Sequence, residues 1–508
     1  GLTNFWCACA VMAGFSQGGG VGLALANWMV EGDPGHDIFA MDVARYGEWA
    51  TLRYTNAKVR ENYSRRFSIR FPNEELPAAR PAETTPLYDI MLRDNFAVMG
   101  DSWGLETPLW FAPSAEEAHD VLSFHRSNDF EHVGAEVRGV REHVGVTEIA
   151  NFAKYEVTGQ GAEAWLDHLM TNTMPKVGRL VLSPMLNERG KLIGDFTIAR
   201  AAQTRFLIWG SLAASRYHMR WFERHLPADG SVRVHRFHTD LVGLMLAGPK
   251  TRAVLAALVD TDVSNDAFRF MDFREMDVAG APCMVNRITY TGDLGYEIWM
   301  KPSFQRRVYL AIKTAGQAHG IVDFGMRALL SMRLEKNFPT WFAELRPIYG
   351  PFEGAMDRFV KLQKPDFIGR AAAVAERDAG PRLRRVSLMI EAGDADVLGD
   401  EPIWAKVGAD HGTIEQPHGY GAPRFDATGQ EMPRPDPVRD GDWRVVGWVT
   451  SGGYAHWVQV SMAQGYLPAA LAERGEAGLF AVEIMGERRA ARIALEPPFD
   501  PAGERMRM

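Results

Sequence analysis

Two acidic residues interrupt apolar stretches of the sequence, where a charged side chain is unexpected. Asp195 shares a strand-like run with Ile193 and Thr197, and Glu297 precedes Ile298 in another such run. A carboxylate buried in an apolar strand must be hydrogen-bonded, paired or functional, because an isolated buried charge is costly. Strand alternation places Asp195 on the face that carries Ile193 and Thr197. Desolvation there raises the pKa of a carboxyl group and suits it to proton handling, although a structural, hydrogen-bonding role is somewhat favoured for Asp195 on the residues alone.

Glu297 ends the segment 290–297, which reads Tyr-Thr-Gly-Asp-Leu-Gly-Tyr-Glu and begins with Tyr290. Its pattern predicts a glycine turn that leads into a strand. A buried carboxylate that accepts two parallel hydrogen bonds has the chemistry needed to hold the N–H and amino edge of a pterin. A plain β-turn followed by a salt-bridged glutamate fits the same residues equally well.

A glycine-rich segment near the start of the chain is another candidate binding element. Residues 4–12 have the length of a buried strand, and residues 23–30 have helical spacing. Between them we predict a turn that contains Gly14, Gly18, Gly19 and Gly20. Glycines there permit a positive φ and the close approach of a ligand, whereas the alternative is a tight turn between core elements.

No metal site is predicted. Cys7, Cys9 and Cys283 are the three cysteines, and no further cysteine or histidine near Cys7 and Cys9 has the spacing of a zinc site. The spacing of Cys7 and Cys9 favours small core residues on one face of a strand. The segment 159–164 resembles a dinucleotide fingerprint, but the acidic residue expected about 20 positions later is missing, which favours a simple strand-to-helix turn.

The two acidic residues belong to a long region of mixed α and β pattern. Strand-like runs at 180–185 and 192–198 flank a polar turn and predict a hairpin that carries Asp195. Other local predictions are a helix at 57–64, an extended connector at 71–81, a strand at 154–158, a helix at 163–170, a domain break at 377–383, and strands at 386–391 and 444–450.

Length and composition exclude several classes of protein. The chain has 508 residues, which suggests about three domains, and its formal net charge of -8 gives no basic surface for nucleic acid. The most apolar stretch, 5–30, is broken by polar residues and glycines and lacks the basic flank of a signal peptide, so no membrane span is predicted. We therefore predict a cytoplasmic protein without nucleic-acid or membrane partners.

Four motifs in a fixed order carry a family resemblance: the hairpin with Asp195, the segment 290–297, Ser-Met-Arg-Leu-Glu-Lys at 331–336, and Val-Thr-Ser-Gly-Gly-Tyr at 449–454. The series resembles the T-protein of the glycine cleavage system. It is more similar still to the C-terminal half of flavin-dependent dimethylglycine and sarcosine dehydrogenases, in which Glu-Glu-Leu-Pro and Asp-Phe-Ile-Gly-Arg, here at 366–370, also recur. The resemblance implies an α+β, T-protein-like, multi-domain folate-binding fold with a small C-terminal β-barrel, preceded by a remnant of an FAD-binding α/β domain.

The resemblance also implies a division of the chain. The expected parts are a tail of the FAD-dependent oxidoreductase domain at 1–43, a central connector domain at 44–95, an aminomethyltransferase-like folate-binding domain at 96–376, a β-barrel at 377–480, and a C-terminal strand and tail at 481–508. In the family the glycine turn lies against the flavin. The rest of the flavin domain is absent from the sequence, so FAD is expected only with a missing N-terminal half or a partner chain.

By the same resemblance, the chain is an enzyme that transfers a one-carbon unit to tetrahydrofolate. The resemblance implies that the carbon comes from an oxidised N-methyl amine of the dimethylglycine or sarcosine type and leaves as 5,10-methylene-tetrahydrofolate. Asp195 matches the catalytic carboxylate, Glu297 the acceptor for the pterin edge, and Tyr290 a residue of the same site. Arg333 matches a folate-tail or structural arginine, with the structural role favoured, and Arg327 is a substitute for tail binding. The alternatives are a folate-dependent O- or S-demethylase and a non-catalytic folate-binding subunit.

Overall fold

The computed structural model describes residues 5–9, 11, 14–406 and 439–508. Among these residues, two α-helices precede the first strand, namely α1 (Gly14–Glu31) and α2 (Leu52–Ser64). The hydroxyl of Thr51 caps α2 by accepting a hydrogen bond from the backbone N–H of Tyr54 at 3.3 Å. The helix predicted at 57–64 is therefore present and begins several residues earlier.

The glycine turn predicted near the start of the chain is wrong, because its residues are helical. Helix α1 contains all four glycines assigned to that turn, Gly14, Gly18, Gly19 and Gly20. None of the four has a positive φ, and a Cβ at each position meets no atom within 4 Å, so neither turn geometry nor close approach requires glycine there. The described residues before the helix, 5–9 and 11, form no strand, because no described segment pairs with them. Cys7 and Cys9, predicted in a core, are exposed.

Two sheets with flanking helices form the central part of the chain. In order, the elements are β1 (Ala97–Ser102), β2 (Leu105–Phe111), α3 (Phe130–Glu142), β3 (Val144–Glu148), β4 (Phe152–Thr158), α4 (Ala162–Leu169), β5 (Leu180–Leu186), β6 (Leu192–Ala202), β7 (Arg205–Ser211), α5 (Ser215–Arg224), β8 (Arg233–Phe237), β9 (Val242–Ala247), α6 (Thr251–Ala256), β10 (Phe273–Val278), β11 (Ala281–Asn286), β12 (Gly295–Met300), α7 (Pro302–Gly316), β13 (Ile321–Asp323), α8 (Met326–Glu335) and α9 (Arg370–Ala379). The first sheet has the strand order β5-β6-β7-β4-β8, and the second sheet has the order β10-β11-β12-β9-β3-β13. Strands β1 and β2 form a separate hairpin.

The predicted hairpin around Asp195 is present as the antiparallel pair β5 and β6. Its register shifts near the turn, because Leu192 pairs with Leu186 and Gly194 pairs with Met185, which leaves Ile193 without a partner. Such a β-bulge breaks the alternation of side chains along a strand.

The bulge corrects the predicted face of Asp195. Ile193 lies in the same core as Phe196, whereas Asp195 shares the opposite face with Thr197. Strand alternation alone could not reveal this change, because the extra residue at Ile193 is visible only in the pairing with β5.

The C-terminal part of the chain forms a closed barrel. Its strands are β14 (Leu383–Ile390), β15 (Pro402–Lys406), β16 (Arg439–Asp440), β17 (Trp443–Ala455), β18 (Val460–Pro468), β19 (Phe480–Ile484) and β20 (Glu487–Ile493), and a short helix α10 (Glu504–Arg507) follows. The order β15-β19-β20-β14-β18-β17 closes by pairing β17 with β15. This confirms the expected β-barrel, which continues past the boundary expected at residue 480 through most of β19 and all of β20. No helix among the described residues is long and apolar enough to span a membrane.

Candidate functional site

The first and second sheets face each other through large aromatic side chains. Trp299 on β12 lies 5.7 Å from Trp209 on β7, between ring centroids, and 6.1 Å from Phe152 on β4. Trp209 pairs directly with Thr197, so it lies on the same face of the first sheet as Asp195. Glu297 stands two residues before Trp299 in β12 and therefore shares its face. The fold thus places both predicted carboxylates on the two surfaces that face each other.

Glu297 is buried, and its carboxylate accepts a hydrogen bond from the Asn286 side-chain amide at 3.1 Å. Burial raises the pKa of Glu297 to about 7, although the hydrogen bond from Asn286 opposes that rise. The amide oxygen of Asn286 has no hydrogen-bond partner among the described residues, nor has the indole N–H of Trp209. The Asn286 amide oxygen is therefore open as an acceptor, and the Trp209 indole N–H is open as a donor, for a polar ligand.

Asp195 is half-buried, and burial raises its pKa to about 6, opposed by the positive charge of Arg385. Arg385 comes from the barrel strand β14, and its guanidinium donates hydrogen bonds to the backbone oxygens of Gly354 and Asn337 and to the side chain of Gln464. The guanidinium thus has partners other than Asp195. Arg385 therefore acts on Asp195 through its charge, which lowers the pKa of the carboxyl group, and not through a hydrogen bond.

Tyr290 lies close enough to Asp195 for the carboxylate charge to affect it. Burial, with smaller contributions from Glu344 and Asp195, raises the pKa of Tyr290 to about 12, and the positive charge of Arg333 opposes the rise. Its hydroxyl donates to the backbone oxygen of Pro339, and its ring stacks on Phe338 with centroids 5.8 Å apart. Tyr290 is therefore neutral and well fixed beside the predicted catalytic carboxylate.

Arg333 is buried, and its contacts are those of a structural residue. Its guanidinium lies 3.2 Å from the carboxylate of Glu344, and it donates to the hydroxyl of Ser451 at 2.6 Å and to the backbone oxygen of Phe338 at 3.2 Å. Ser451 belongs to β17, so Arg333 joins helix α8 to the barrel. The structural role of Arg333 stays a prediction, and these contacts support it.

Two other motif residues also have structural roles. Asp293 and Glu335 are fully buried, and both accept hydrogen bonds from the guanidinium of Arg141. Asp293 also pairs with Arg505 at 2.7 Å, which connects the C-terminal helix to the turn before β12. The motifs at 290–297 and 331–336 are thus held together by one buried cation.

Arg327 makes its contacts away from Asp195 and Glu297. It forms hydrogen bonds to both carboxylate oxygens of Asp120, at 2.7 and 2.9 Å, and to Asp129 at 2.8 Å. These residues line a cavity of about 210 Å³ between α8 and the barrel, and the lining includes none of Asp195, Tyr290 and Glu297. The proposed use of Arg327 for a folate tail has no support in these contacts.

The N-terminal helix offers no cradle for a flavin within the described residues. Its glycines are in open space, and side chains such as Phe15 and Val30 are largely exposed. A dinucleotide needs close backbone approach and several converging donors, which a single exposed helix does not supply. Gly14, Gly18, Gly19 and Gly20 therefore remain proposed flavin neighbours only in a larger assembly.

Sequence reasoning missed two residues of this site. Arg385 acts on Asp195 from the barrel, and Asn286 holds Glu297 from the neighbouring strand β11. A signal for Asn286 existed, because it is a polar residue in an apolar strand just as Glu297 is. Arg385 gave no comparable signal, since it stands among other arginines just before a predicted strand.

Comparisons with known proteins agree with this architecture. The chain matches the family descriptions "FAD dependent oxidoreductase central domain" at residues 31–85, "GCVT N-terminal domain" at 87–364 and "Glycine cleavage T-protein C-terminal barrel domain" at 423–500. The glycine cleavage system aminomethyltransferase T from Bartonella henselae has the same fold, with a TM-score of 0.64 over 82% of this chain and 98% of that one, at 22% identity.

Two relatives align along nearly the whole chain. Mitochondrial dimethylglycine dehydrogenase of Mus musculus is 34% identical over 500 residues, which are 98% of this chain and 53% of that protein. Mitochondrial sarcosine dehydrogenase of Homo sapiens is 27% identical over 560 residues, covering 100% of this chain and 56% of that protein. The chain thus spans about half the length of these relatives. Because the GCVT N-terminal description covers more than half of its residues, the chain belongs to the glycine cleavage T-protein family, with dimethylglycine and sarcosine dehydrogenases among its relatives.

Proposed function

We propose that the chain captures a one-carbon unit from an oxidised N-methyl amine on tetrahydrofolate, giving 5,10-methylene-tetrahydrofolate. The observation that carries this proposal is the pair of desolvated carboxylates, Asp195 and Glu297, on the facing surfaces of two sheets. The names of the relatives suggest dimethylglycine or sarcosine as the amine.

The residues around Glu297 fit a pterin. Its carboxylate and the unpaired Asn286 amide oxygen provide neighbouring acceptors for ring N–H and amino groups, and the Trp209 indole N–H provides a donor. Trp209 and Trp299, whose rings pack against each other with centroids 5.7 Å apart, make the surroundings of Glu297 apolar. A ligand that donates N–H groups to Glu297 also favours its ionised form, which burial alone disfavours.

Tetrahydrofolate, when bound, supplies the nitrogen nucleophiles that take up the carbon. Asp195 would then orient the reacting amine and accept or return a proton, since a pKa near 6 keeps most of it ionised at neutral pH. Tyr290 and the aromatic side chains around it exclude water, which limits the loss of the carbon as formaldehyde. Much of the rate gain would come from holding the two reactants in position.

The oxidation that produces the carbon donor requires a flavin, which we assign to a preceding domain or to a partner chain. The match to a central domain of FAD-dependent oxidoreductases at 31–85 supports this arrangement. Residues 14–31 would then be one side of the flavin domain, which accounts for their exposed apolar side chains.

The experiment measures binding and transfer separately. Calorimetry gives the affinity for tetrahydrofolate, and transfer is followed with the carbinolamine formed from sarcosine and formaldehyde, coupled to a methylene-tetrahydrofolate dehydrogenase. We expect Glu297→Gln to weaken binding and Asp195→Asn to abolish transfer while binding persists.

The matched control is Glu148→Gln. Glu148 is an equally buried acid whose pKa burial also raises to about 7, but it lies in the core on the other side of the second sheet. Its substitution should leave binding and transfer unchanged. Normal binding and transfer in both site variants would reject the proposal. Formation of methyl-tetrahydrofolate when a methyl ether or thioether replaces the carbinolamine would indicate a demethylase instead.

A further inference from the structure

The β-bulge at Ile193 lies two residues before Asp195 and has its own anchor. Ile193 is the extra residue of β6, so its backbone is outside the regular ladder with β5. Its backbone oxygen lies 3.0 Å from Nε2 of His218, which belongs to helix α5. Because a carbonyl oxygen only accepts hydrogen bonds, Nε2 of His218 must carry the proton.

The surroundings of His218 fix its position. The side chain is fully buried, and its ring packs against Phe196 at 4.7 Å and against Trp341 at 5.2 Å between centroids. Burial lowers its pKa to about 3, so the imidazole stays neutral and keeps this hydrogen bond across the physiological range. Gly194 leaves room for these side chains, since a Cβ there would lie 2.5 Å from the Phe196 ring and 3.4 Å from Nε2 of His218.

Rotation of the strand at this point is what brings Asp195 to the site. Ile193 lies in the core of the first sheet, and without the bulge regular alternation would bury Asp195 on that same side. With the bulge, Asp195 emerges beside Thr197, toward the second sheet. We infer that His218 is a positioning residue that holds the Ile193 bulge and thereby aims the Asp195 carboxylate at the one-carbon transfer site. This inference rests on the proposed function of Asp195.

The test compares variants of the full chain in the coupled transfer assay. His218→Leu removes the donor and keeps an apolar side chain of similar bulk, and it should lower kcat by about 10- to 100-fold with little change in the KM for tetrahydrofolate, because misplacement of a reacting group acts on the transfer step. His218→Gln retains an N–H that can reach the Ile193 oxygen and should restore much of the loss. Where His218→Leu does not fold, His218→Met, which also lacks a donor, replaces it and should show the same loss of kcat.

The control is Trp165→Phe, which removes another hydrogen bond in the same core. The indole of Trp165 donates to the backbone oxygen of His225 at 2.7 Å, away from the bulge. Its kcat should stay near that of the unmodified protein. Equal losses in this control and in His218→Leu, or a His218→Leu kcat within about twofold of the original, would overturn the inference.

The variant Asp195→Asn distinguishes a failure of the positioning role of His218 from a failure of the proposed function. If it abolishes transfer while His218→Leu does not affect kcat, only the positioning role of His218 fails. Full transfer in Asp195→Asn means instead that the proposed function of the carboxylate fails, and His218 then has no catalytic group to position.

Discussion

Replacing Glu297 by glutamine should stabilise the protein while it impairs the site. Burial raises the pKa of Glu297 from 4.5 to about 7 in the folded protein. Between these values the native state binds a proton that the unfolded state does not, so the free energy of unfolding falls as pH rises. This pH dependence of the free energy of unfolding is opposite in sign to that caused by a salt-bridged carboxylate, whose pKa is lowered on folding.

The size of the effect follows from the shift of roughly 2.5 pKa units. At about 1.4 kcal/mol per unit, the ionised Glu297 costs about 3 kcal/mol near pH 8 and less than about 1 kcal/mol near pH 5. An uncharged glutamine avoids this cost and can still accept the hydrogen bond from Asn286. The stability advantage of Glu297→Gln over the original protein should therefore increase by about 2 to 3 kcal/mol from about pH 5 to about pH 8.

Urea unfolding followed by tryptophan fluorescence measures this difference, provided that the slopes of the transitions agree. Glu148→Gln should show a similar pH-dependent gain and keep its affinity for tetrahydrofolate, because Glu148 is buried on the other side of the sheet. A gain in Glu297→Gln that does not vary with pH, or a loss of stability near pH 8, would show that Glu297 is paired or hydrated in the folded protein and would refute the reasoning.

Four further outcomes follow from the structure. The transfer rate should fall as pH drops through about 6, because burial raises the pKa of Asp195 to that value and the ionised form is the base; the pH profile of Asp195→Asn should lack this limb. Arg141→Met should lower the free energy of unfolding by about 3–5 kcal/mol, measured in urea, because two buried carboxylates lose their cation. Phe39→Ala should cost about 3–5 kcal/mol in the same assay, since the buried ring packs on four aromatic side chains. Gly18→Ala with Gly19→Ala should slow hydrogen exchange in α1, because alanine favours a helix that has open space at both positions; faster exchange would contradict the helical assignment.

Local patterns predicted much of the secondary structure. The hairpin of β5 and β6, the helix α4 and the barrel strands β14 and β17 all occur where alternation or helical spacing indicated them, with ends that differ by a few residues. These elements depend on side chains a few positions apart, which the sequence displays directly.

Two of the failures have the same cause, which is that the deciding interactions are not local. The bulge at Ile193 depends on a register with β5, and the influence of Arg385 on Asp195 depends on how the barrel packs against the first sheet. The first helix was misread for a different reason. Four glycines favoured a turn, yet glycine also accepts helical φ, and the apolar residues after them continue as one helix.

Asp195 and Glu297 make the ligand-free protein less stable than the same fold would be with uncharged residues at these two positions. Burial raises the pKa of both Asp195 and Glu297, and Arg385, the cation that acts on Asp195, has hydrogen-bond partners of its own. A core selected only for stability would replace such acids with apolar residues or pair them fully. A bound ligand that donates N–H groups to Glu297 offsets the cost of its ionisation. It follows that ligand binding should raise the stability of the protein more near neutral pH, where the carboxylate is being ionised, than in acid, where it is already protonated.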